Sequence, residues 1–155
     1  MPSDCFTLKE AGAADLFLIS THPVIPMKIF YESCMKKILL IDDDPDVQTV
    51  LKKTLQQQGF RVETASRKDE ALQKLAAEQP SIILLDVLLS GDDGRELCRE
   101  LKSMPATKDI PVIMFSGHPS AGVQYEAWGA DDFIAKPLNT PMLLEKLNRQ
   151  LVGQR

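Results

Sequence analysis

Short apolar or alternating runs are separated by amphipathic stretches from residue 36 to the end of the chain. Runs of this length, bounded by polar and turn-forming residues, are typical of strands. They are Ile38 to Ile41, Phe60 to Ala65, Ile82 to Asp86, Val112 to Phe115 and Asp132 to Ala135. The unbroken apolar character of the third run favours a parallel sheet that helices cover on both faces.

Between these runs, apolar residues recur at helical spacing, and the ends of the stretches carry helix caps. The predicted helices run from Pro45 (capped by Asp44) to Gly59, from Ser66 to the residues before Pro80, from Asp93 to Lys102, from Pro119 to Trp128 and from Asn139 or Thr140 to Leu151. Ser66 and Asp69 together resemble a capping box. Five strands alternating with five helices predict a doubly wound α/β domain with a five-stranded parallel sheet and right-handed crossovers.

Residues 1–35 do not share this pattern. Pro23 and Pro26 interrupt their apolar stretches well short of a membrane span, and no basic leader precedes the first apolar run. Met35 stands directly before the first strand, so translation could start there. We expect residues 1–35 to be an extension that is poorly ordered or lies upstream of the true start; a segment packed on the domain is the alternative. The domain itself is expected to occupy residues 36–155, with no second domain after it.

The composition, 44% hydrophobic and 26% charged residues, is that of a globular protein. A net charge of -4 argues against nucleic acid or an anionic membrane as a direct partner. The cysteines Cys5, Cys34 and Cys98 lack the spacing of a metal or redox site, and free thiols are typical of a reducing compartment. We therefore expect a cytoplasmic protein.

Polar residues stand at the ends of four predicted strands. They are Asp42 and Asp43 after the first strand, Asp86 at the end of the third, Ser116 after the fourth and Lys136 after the fifth. The carboxyl ends of parallel strands meet at one edge of a sheet, so these residues are expected to share a crevice. Carboxylates this close repel one another, and a hard divalent cation, best Mg2+, would relieve the repulsion. A neighbouring ammonium and hydroxyl would stabilise a transferring phosphoryl group.

Four stretches make this pattern more specific. They are KILLIDDDP (residues 37–45), ILLD (83–86), PVIMFSG (111–117) and GADDFIAKP (129–137). Together they resemble the receiver domain of two-component response regulators, over about Lys36 to Leu151. The resemblance implies the flavodoxin-like receiver fold.

The resemblance also implies a role for each residue of the crevice. Asp86 would accept a phosphoryl group from a phosphohistidine. Asp43 and Asp86 would bind Mg2+ directly, the backbone carbonyl of Leu88 would be a third protein ligand, and Asp42 would hold the metal through water. Lys136 would pair with the carboxylate or the phosphate, and its bond to the following proline resembles the cis peptide of the family.

Ser116 and Phe133 occupy the positions of the switch residues of the family. Phosphate on Asp86 would draw the Ser116 hydroxyl inward, and Phe133 would fill the space that it leaves. A static core position for Phe133 is the alternative, since it lacks the tyrosine hydroxyl. The run Leu89-Ser90-Gly91 stands where the family usually has Met-Pro-Gly, which predicts a less rigid loop.

The predicted function is that of a single-domain response regulator. It would take its phosphoryl group from a sensor histidine kinase or a histidine phosphotransfer protein and would act by docking to another protein or by onward relay. It would not be a conventional enzyme, although it would catalyse its own phosphorylation and slow dephosphorylation. One alternative is a receiver-like scaffold that is never phosphorylated. The other is a phosphatase with an aspartyl nucleophile, whose Asp-x-Asp-x-Thr run is missing from this sequence.

Overall fold

The computed structural model describes residues 35–118, 120 and 124–153. The predicted N-terminal extension, except Met35, lies outside these residues. The strands are β1 (Lys37–Ile41), β2 (Arg61–Ala65), β3 (Ile82–Asp86), β4 (Leu88–Leu89), β5 (Asp92–Asp93), β6 (Val112–Ser116) and β7 (Asp132–Ala135). The helices are α1 (Pro45–Gln57), α2 (Lys68–Ala77), α3 (Gly94–Ser103) and α4 (Thr140–Val152), with a 3-10 helix at Tyr125–Trp128.

Five of the strands form one parallel sheet in the order β2-β1-β3-β6-β7. The predicted doubly wound sheet is therefore confirmed. The register pairs Ile41 with Leu85, and Asp86 with Phe115. Because the strands are parallel and in step, their carboxyl ends lie along one edge of the sheet, as the sequence predicted.

Successive residues of a strand point to opposite faces of the sheet. Both faces are buried, because helices pack against each of them. On one face, residues such as Leu39 and Met114 pack with Leu75 of α2 and Leu101 of α3. On the other face, the apolar side chains of the strands pack with α1 and α4. The residues of this second layer are Ile38, Leu40, Leu51, Leu55, Phe60, Val62, Ile82, Leu84, Ile113, Phe115, Ile134, Leu143 and Leu147. Each aliphatic side chain buried in this way contributes roughly 1.5–3 kcal/mol.

The helix caps match the sequence prediction at two helices and differ at a third. The side chains of Asp44 and Asn139 accept hydrogen bonds from backbone amides at the starts of α1 and α4. The predicted capping box of Ser66 and Asp69 is wrong, because the amide of Ser66 donates to the carboxylate of Glu70 at 2.8 Å. Helix α2 begins at Lys68 with Arg67 as its N-cap, one residue later than the box requires, so the acid four residues after Ser66 is the one within reach.

The predicted fourth helix, from Pro119 to Trp128, is only partly within the described residues. Its described end is the 3-10 helix Tyr125–Trp128, which Gly129 ends with a left-handed φ of 85°. Residues 119 and 121–123 lie outside the description. Among the described residues, no helix has the length and apolar character needed to cross a membrane.

A small hairpin follows the third strand and was not predicted. Strands β4 and β5 pair Leu88 with Asp93 and Leu89 with Asp92, so that Ser90 and Gly91 form the turn. Gly91 has a φ of 84°, which a residue with a side chain rarely adopts. The hairpin therefore gives the segment after Asp86 a defined course.

Helix α3 begins directly against the end of β3. The amide of Gly94 donates to the carbonyl of Val87 at 3.0 Å, and a Cβ at Gly94 would lie 2.0 Å from the carbonyl oxygen of Asp86. Only glycine allows the two backbones to approach so closely.

Gly94→Ala should lower the free energy of unfolding by about 1–3 kcal/mol, the usual cost of adding volume to a packed site. Urea unfolding measures the change. Gly153→Ala is the matched control, because its Cβ would meet its nearest heavy atoms at 3.6 Å and its φ is -67°. Its stability should stay within about 0.5 kcal/mol of wild type. Equal stability of the two variants would contradict the close approach at Gly94.

Candidate functional site

Three carboxylates meet at the carboxyl edge of the sheet. One oxygen from each of Asp42, Asp43 and Asp86 lies within 4.8 Å of the others. Asp42 and Asp43 directly follow β1, and Asp86 is the last residue of the neighbouring strand β3. Asp42 and Asp86 are buried, whereas Asp43 is half-buried. The structure therefore brings together the three acids that the sequence placed in one crevice.

Lys136 reaches the same crevice from the end of β7. Its Nζ lies 2.7 Å from Oδ2 of Asp86 and 3.3 Å from Oδ2 of Asp42. Its backbone amide donates to the carbonyl of Ser116 at 2.9 Å, and the Lys136-Pro137 peptide bond is cis, as the resemblance implied. Its Nζ also lies 5.0 Å from the centre of the Phe115 ring. The ammonium thus bridges two of the three carboxylates.

The charges in this crevice do not balance, because one ammonium faces three carboxylates. Burial raises the pKa of Asp42 above its ordinary value, and the nearby Asp86 adds to this effect; the amide of Asp44 and the ammonium of Lys136 oppose it without reversing it. Burial also opposes the charge of Lys136. Its hydrogen bond to Asp86 and the attraction of both carboxylates outweigh burial and raise the pKa of Lys136.

Backbone amides and one glutamine hold the acids in place. The amide of Asp44 donates to Oδ1 of Asp42 at 2.8 Å, and the amide of Leu88 donates to Oδ1 of Asp86 at 3.0 Å. The side-chain amide of Gln48 donates to the carbonyl of Asp42 and, at 3.2 Å, to the carbonyl of Ala65. Gln48 was missed from the sequence, because a glutamine on a helix carries no signal of where it will reach.

Ser116 ends β6, and Phe133 is the second residue of the neighbouring strand β7. Ser116 is buried, and its hydroxyl accepts a hydrogen bond from the amide of His118 at 3.1 Å. Phe133 is half-buried and stacks on Tyr125, with ring centres 6.4 Å apart. The ring ties β7 to the 3-10 helix.

A contact across the crevice was not foreseen. The hydroxyl of Ser90, in the turn of the hairpin, donates to Oδ2 of Asp43. The sequence showed only that Ser90 stands where the family has proline. Because 47 positions separate the two residues, only the fold reveals that they meet.

A cavity of about 530 Å3 adjoins the crevice. Its walls are Val87, Leu88, Arg95, His118, Ser120, Gln124 and Trp128. The side chain of Leu88 is exposed here, and the guanidinium of Arg95 lies 5.6 Å from the centre of the Trp128 ring. The cavity thus lies beside the two residues that directly follow Asp86 and beside His118, two residues after Ser116.

The sequence of this chain was compared with known protein families. The family described as the response regulator receiver domain matches residues 38–148. The chain belongs to this family. The match covers the sheet and the strand ends that carry the acids, lysine and serine described above.

Curated relatives agree with this assignment. The chain is 37% identical over 119 residues to the phosphate regulon transcriptional regulatory protein PhoB of Rhizobium meliloti, covering 76% of this chain and 52% of that protein. It is 37% identical over 112 residues to the transcriptional regulatory protein AfsQ1 of Streptomyces coelicolor, covering 70% and 48%. The chain thus spans about half the length of the curated relatives it matches.

Two solved structures are similar to this chain over more than nine tenths of their own length. The chemotaxis protein CheY4 of Vibrio cholerae matches with a TM-score of 0.70 and 30% identity, covering 75% of this chain and 98% of that chain. The receiver domain of a signal transduction histidine kinase from Syntrophus aciditrophicus matches with a TM-score of 0.69 and 36% identity, covering 76% and 91%.

The acidic cluster of this receiver domain fits a divalent metal ion. Its donors are carboxylate oxygens on two adjacent strand ends, and such hard ligands suit Mg2+. A bound cation would also offset the excess negative charge of the crevice. The donor set and the charge therefore both favour a cation here.

Asp42→Asn should raise the free energy of unfolding at pH 7, without divalent cations, by about 1 kcal/mol. The folded pKa of Asp42 is raised above 3.8, so its stabilisation of the wild type is complete below about pH 3.8 and is lost as the pH rises through the raised value. The variant keeps a neutral group at every pH, so its advantage should be largest at neutral pH and should vanish in acid.

Urea unfolding of both proteins between pH 3 and 7 measures this difference. Asp44→Asn is the matched control, because Asp44 is exposed and asparagine caps a helix as well as aspartate does. A stability gain for Asp42→Asn that is the same at every pH would show that the buried charge is not its source.

Proposed function

We propose that this receiver domain accepts a phosphoryl group on Asp86 from a phosphohistidine, with Mg2+ as the cofactor. The observation that carries the proposal is the convergence of the acids and the lysine: the Asp86 carboxylate lies beside Asp42 and Asp43 and 2.7 Å from Nζ of Lys136. This arrangement provides two things that phosphoryl transfer needs, namely a nucleophile and positive charge beside it.

In the proposed reaction, a carboxylate oxygen of Asp86 attacks the phosphorus atom while the P–N bond of the phosphohistidine breaks. The electron pair of that bond stays on the leaving imidazole, which then takes up a proton. Lys136 is held where it can neutralise charge on the transferring group. Asp43, Asp86 and the carbonyl of Leu88 would hold Mg2+, with Asp42 acting through water, and the ion would supply charge neutralisation for the phosphoryl oxygens.

The signal is proposed to leave the crevice through Ser116 and Phe133. A phosphate on Asp86 would offer a charged acceptor to the proton of the Ser116 hydroxyl, whose oxygen now accepts from the amide of His118. Ser116 pairs with Ala135 in the sheet, two residues from Phe133, so a shift of Ser116 would be felt at the ring. Because Phe133 stacks on Tyr125, a movement of the Phe133 ring would in turn alter the exposed surface of the 3-10 helix.

We further propose a sensor histidine kinase or a histidine phosphotransfer protein as the donor, in the cytoplasm. The output would be docking to another protein or onward relay by a single-domain regulator. Support comes from the similarity to CheY4, which the chain covers almost completely, and from the net charge of -4, which disfavours direct contact with nucleic acid. PhoB and AfsQ1, by contrast, are transcriptional regulators, and the matched region makes up only about half of the length of each.

Asp86→Asn should abolish phosphorylation, because the amide is not a nucleophile. The measurement is transfer of radiolabelled phosphate from phosphorylated candidate kinases and phosphotransfer proteins to the full chain. Asp44→Asn, the same change two residues after Asp42, should keep wild-type labelling because Asp44 caps α1 outside the acid cluster. Equal labelling of wild type and Asp86→Asn would place the acceptor elsewhere.

Leu88→Asn should shorten the lifetime of the phosphorylated protein roughly threefold to tenfold, a barrier change of about 0.6–1.4 kcal/mol. The apolar side chain of Leu88 is 60% exposed beside the crevice, where it would hinder an attacking water; asparagine would instead orient one. The measurement is the decay of labelled protein after the donor is removed. Val152→Asn, an exposed apolar residue at the end of α4, is the control and should leave the lifetime unchanged. An unchanged lifetime in Leu88→Asn would refute this role.

A further inference from the structure

The turn that carries Ser90 is held firmly on both sides. The strands β4 and β5 pair through Leu88 with Asp93 and Leu89 with Asp92. The side chain of Asp92 also accepts a hydrogen bond from the amide of Lys68 at 3.3 Å, at the start of α2. Although Ser90 itself is exposed, its backbone is therefore fixed relative to the end of β3.

Hydrogen bonds to the three carboxylates are unevenly distributed. Asp42 and Asp86 each accept from a backbone amide on one oxygen and from Lys136 on the other. In the described part of the chain, the carboxylate of Asp43 has one hydrogen-bond donor, the hydroxyl of Ser90. Ser90 therefore determines how the third acid is oriented.

We propose that Ser90 is a positioning residue for the cation site. Its hydroxyl binds one oxygen of Asp43 and leaves the other oxygen for the metal ion, so the carboxylate is oriented before the ion arrives. This inference rests on the proposed Mg2+ site and adds a residue to it. Proline, which the family usually has at this position, has no hydroxyl and could not make the contact.

The physical reason for an effect on affinity is preorganisation. A carboxylate with no hydrogen-bond partner samples several orientations, and binding a metal must then restrict them. Hydrogen bonds that orient a ligand of a metal typically contribute tenfold to a hundredfold in affinity. Because Ser90 is exposed to water, we expect the lower end of this range, about a tenfold loss of Mg2+ affinity in Ser90→Ala.

The test is calorimetric titration of Mg2+ into the full, unphosphorylated chain. Ser90→Ala should bind Mg2+ about tenfold more weakly, and Ser90→Thr, which keeps the hydroxyl, should bind nearly as well as wild type. Ser103→Ala is the matched control, because the Ser103 hydroxyl is exposed and donates to the carbonyl of Glu100 on α3. Urea unfolding should show the Ser90 variants to be as stable as wild type, since the loss is one of orientation.

A second measurement separates orientation from a general disturbance of the site. The rate of phosphotransfer at saturating Mg2+ should be unchanged in Ser90→Ala, while the Mg2+ concentration for half the maximal rate rises by the same factor as the dissociation constant. A reduced rate at saturating Mg2+ with unchanged affinity would overturn the proposal.

The outcomes also distinguish this inference from the proposed function. If wild type and Ser90→Ala bind Mg2+ equally while Asp43→Asn binds it poorly, the role of Ser90 is refuted and the cation site stands. If wild type itself does not bind Mg2+, or if Asp43→Asn binds it as well as wild type, the cation site is refuted and the role of Ser90 fails with it.

Discussion

The acid cluster depends on the attraction between the ammonium of Lys136 and the carboxylates of Asp86 and Asp42. A buried charge without a partner costs several kcal/mol, so a crevice with three acids is tolerable only if positive charge is supplied from within the fold. Lys136 supplies this charge: its Nζ lies 2.7 Å from Oδ2 of Asp86 and 3.3 Å from Oδ2 of Asp42. One ammonium does not neutralise three acids. Burial therefore still raises the pKa of Asp42, and the nearby Asp86 adds to the rise. The remaining negative charge therefore favours a bound cation.

The sheet makes this concentration of charge possible. Its strands are covered on both faces, and the two apolar layers fix the register that brings the ends of β1, β3 and β7 to one edge. Close backbone contact at Gly94 and the hairpin β4–β5 then define the segment after Asp86. The two apolar layers thus stabilise the core, while the repulsion among Asp42, Asp43 and Asp86 is confined to the carboxyl edge of the sheet.

One connection joins the crevice to the 3-10 helix Tyr125–Trp128. The amide of Lys136 donates to the carbonyl of Ser116, and Phe133, on the strand β7 that directly precedes Lys136, stacks on Tyr125. A change in charge at Asp86 would therefore act on Lys136, which contacts it. Lys136 is bonded through its amide to Ser116 and directly follows the strand that carries Phe133.

The sequence alone determined the sheet, four of the helices and the identity of the charged residues at the strand ends. These depend on local patterns: an apolar run that stops at an acid, a capping residue, or a glycine after a helix. Only the tertiary structure decided that Glu70 rather than Asp69 binds Ser66, that Gln48 holds the loop of Asp42, and that Ser90 reaches Asp43. The physical reason is that such contacts depend on strand register and on the reach of individual side chains across distant segments, which no local pattern records.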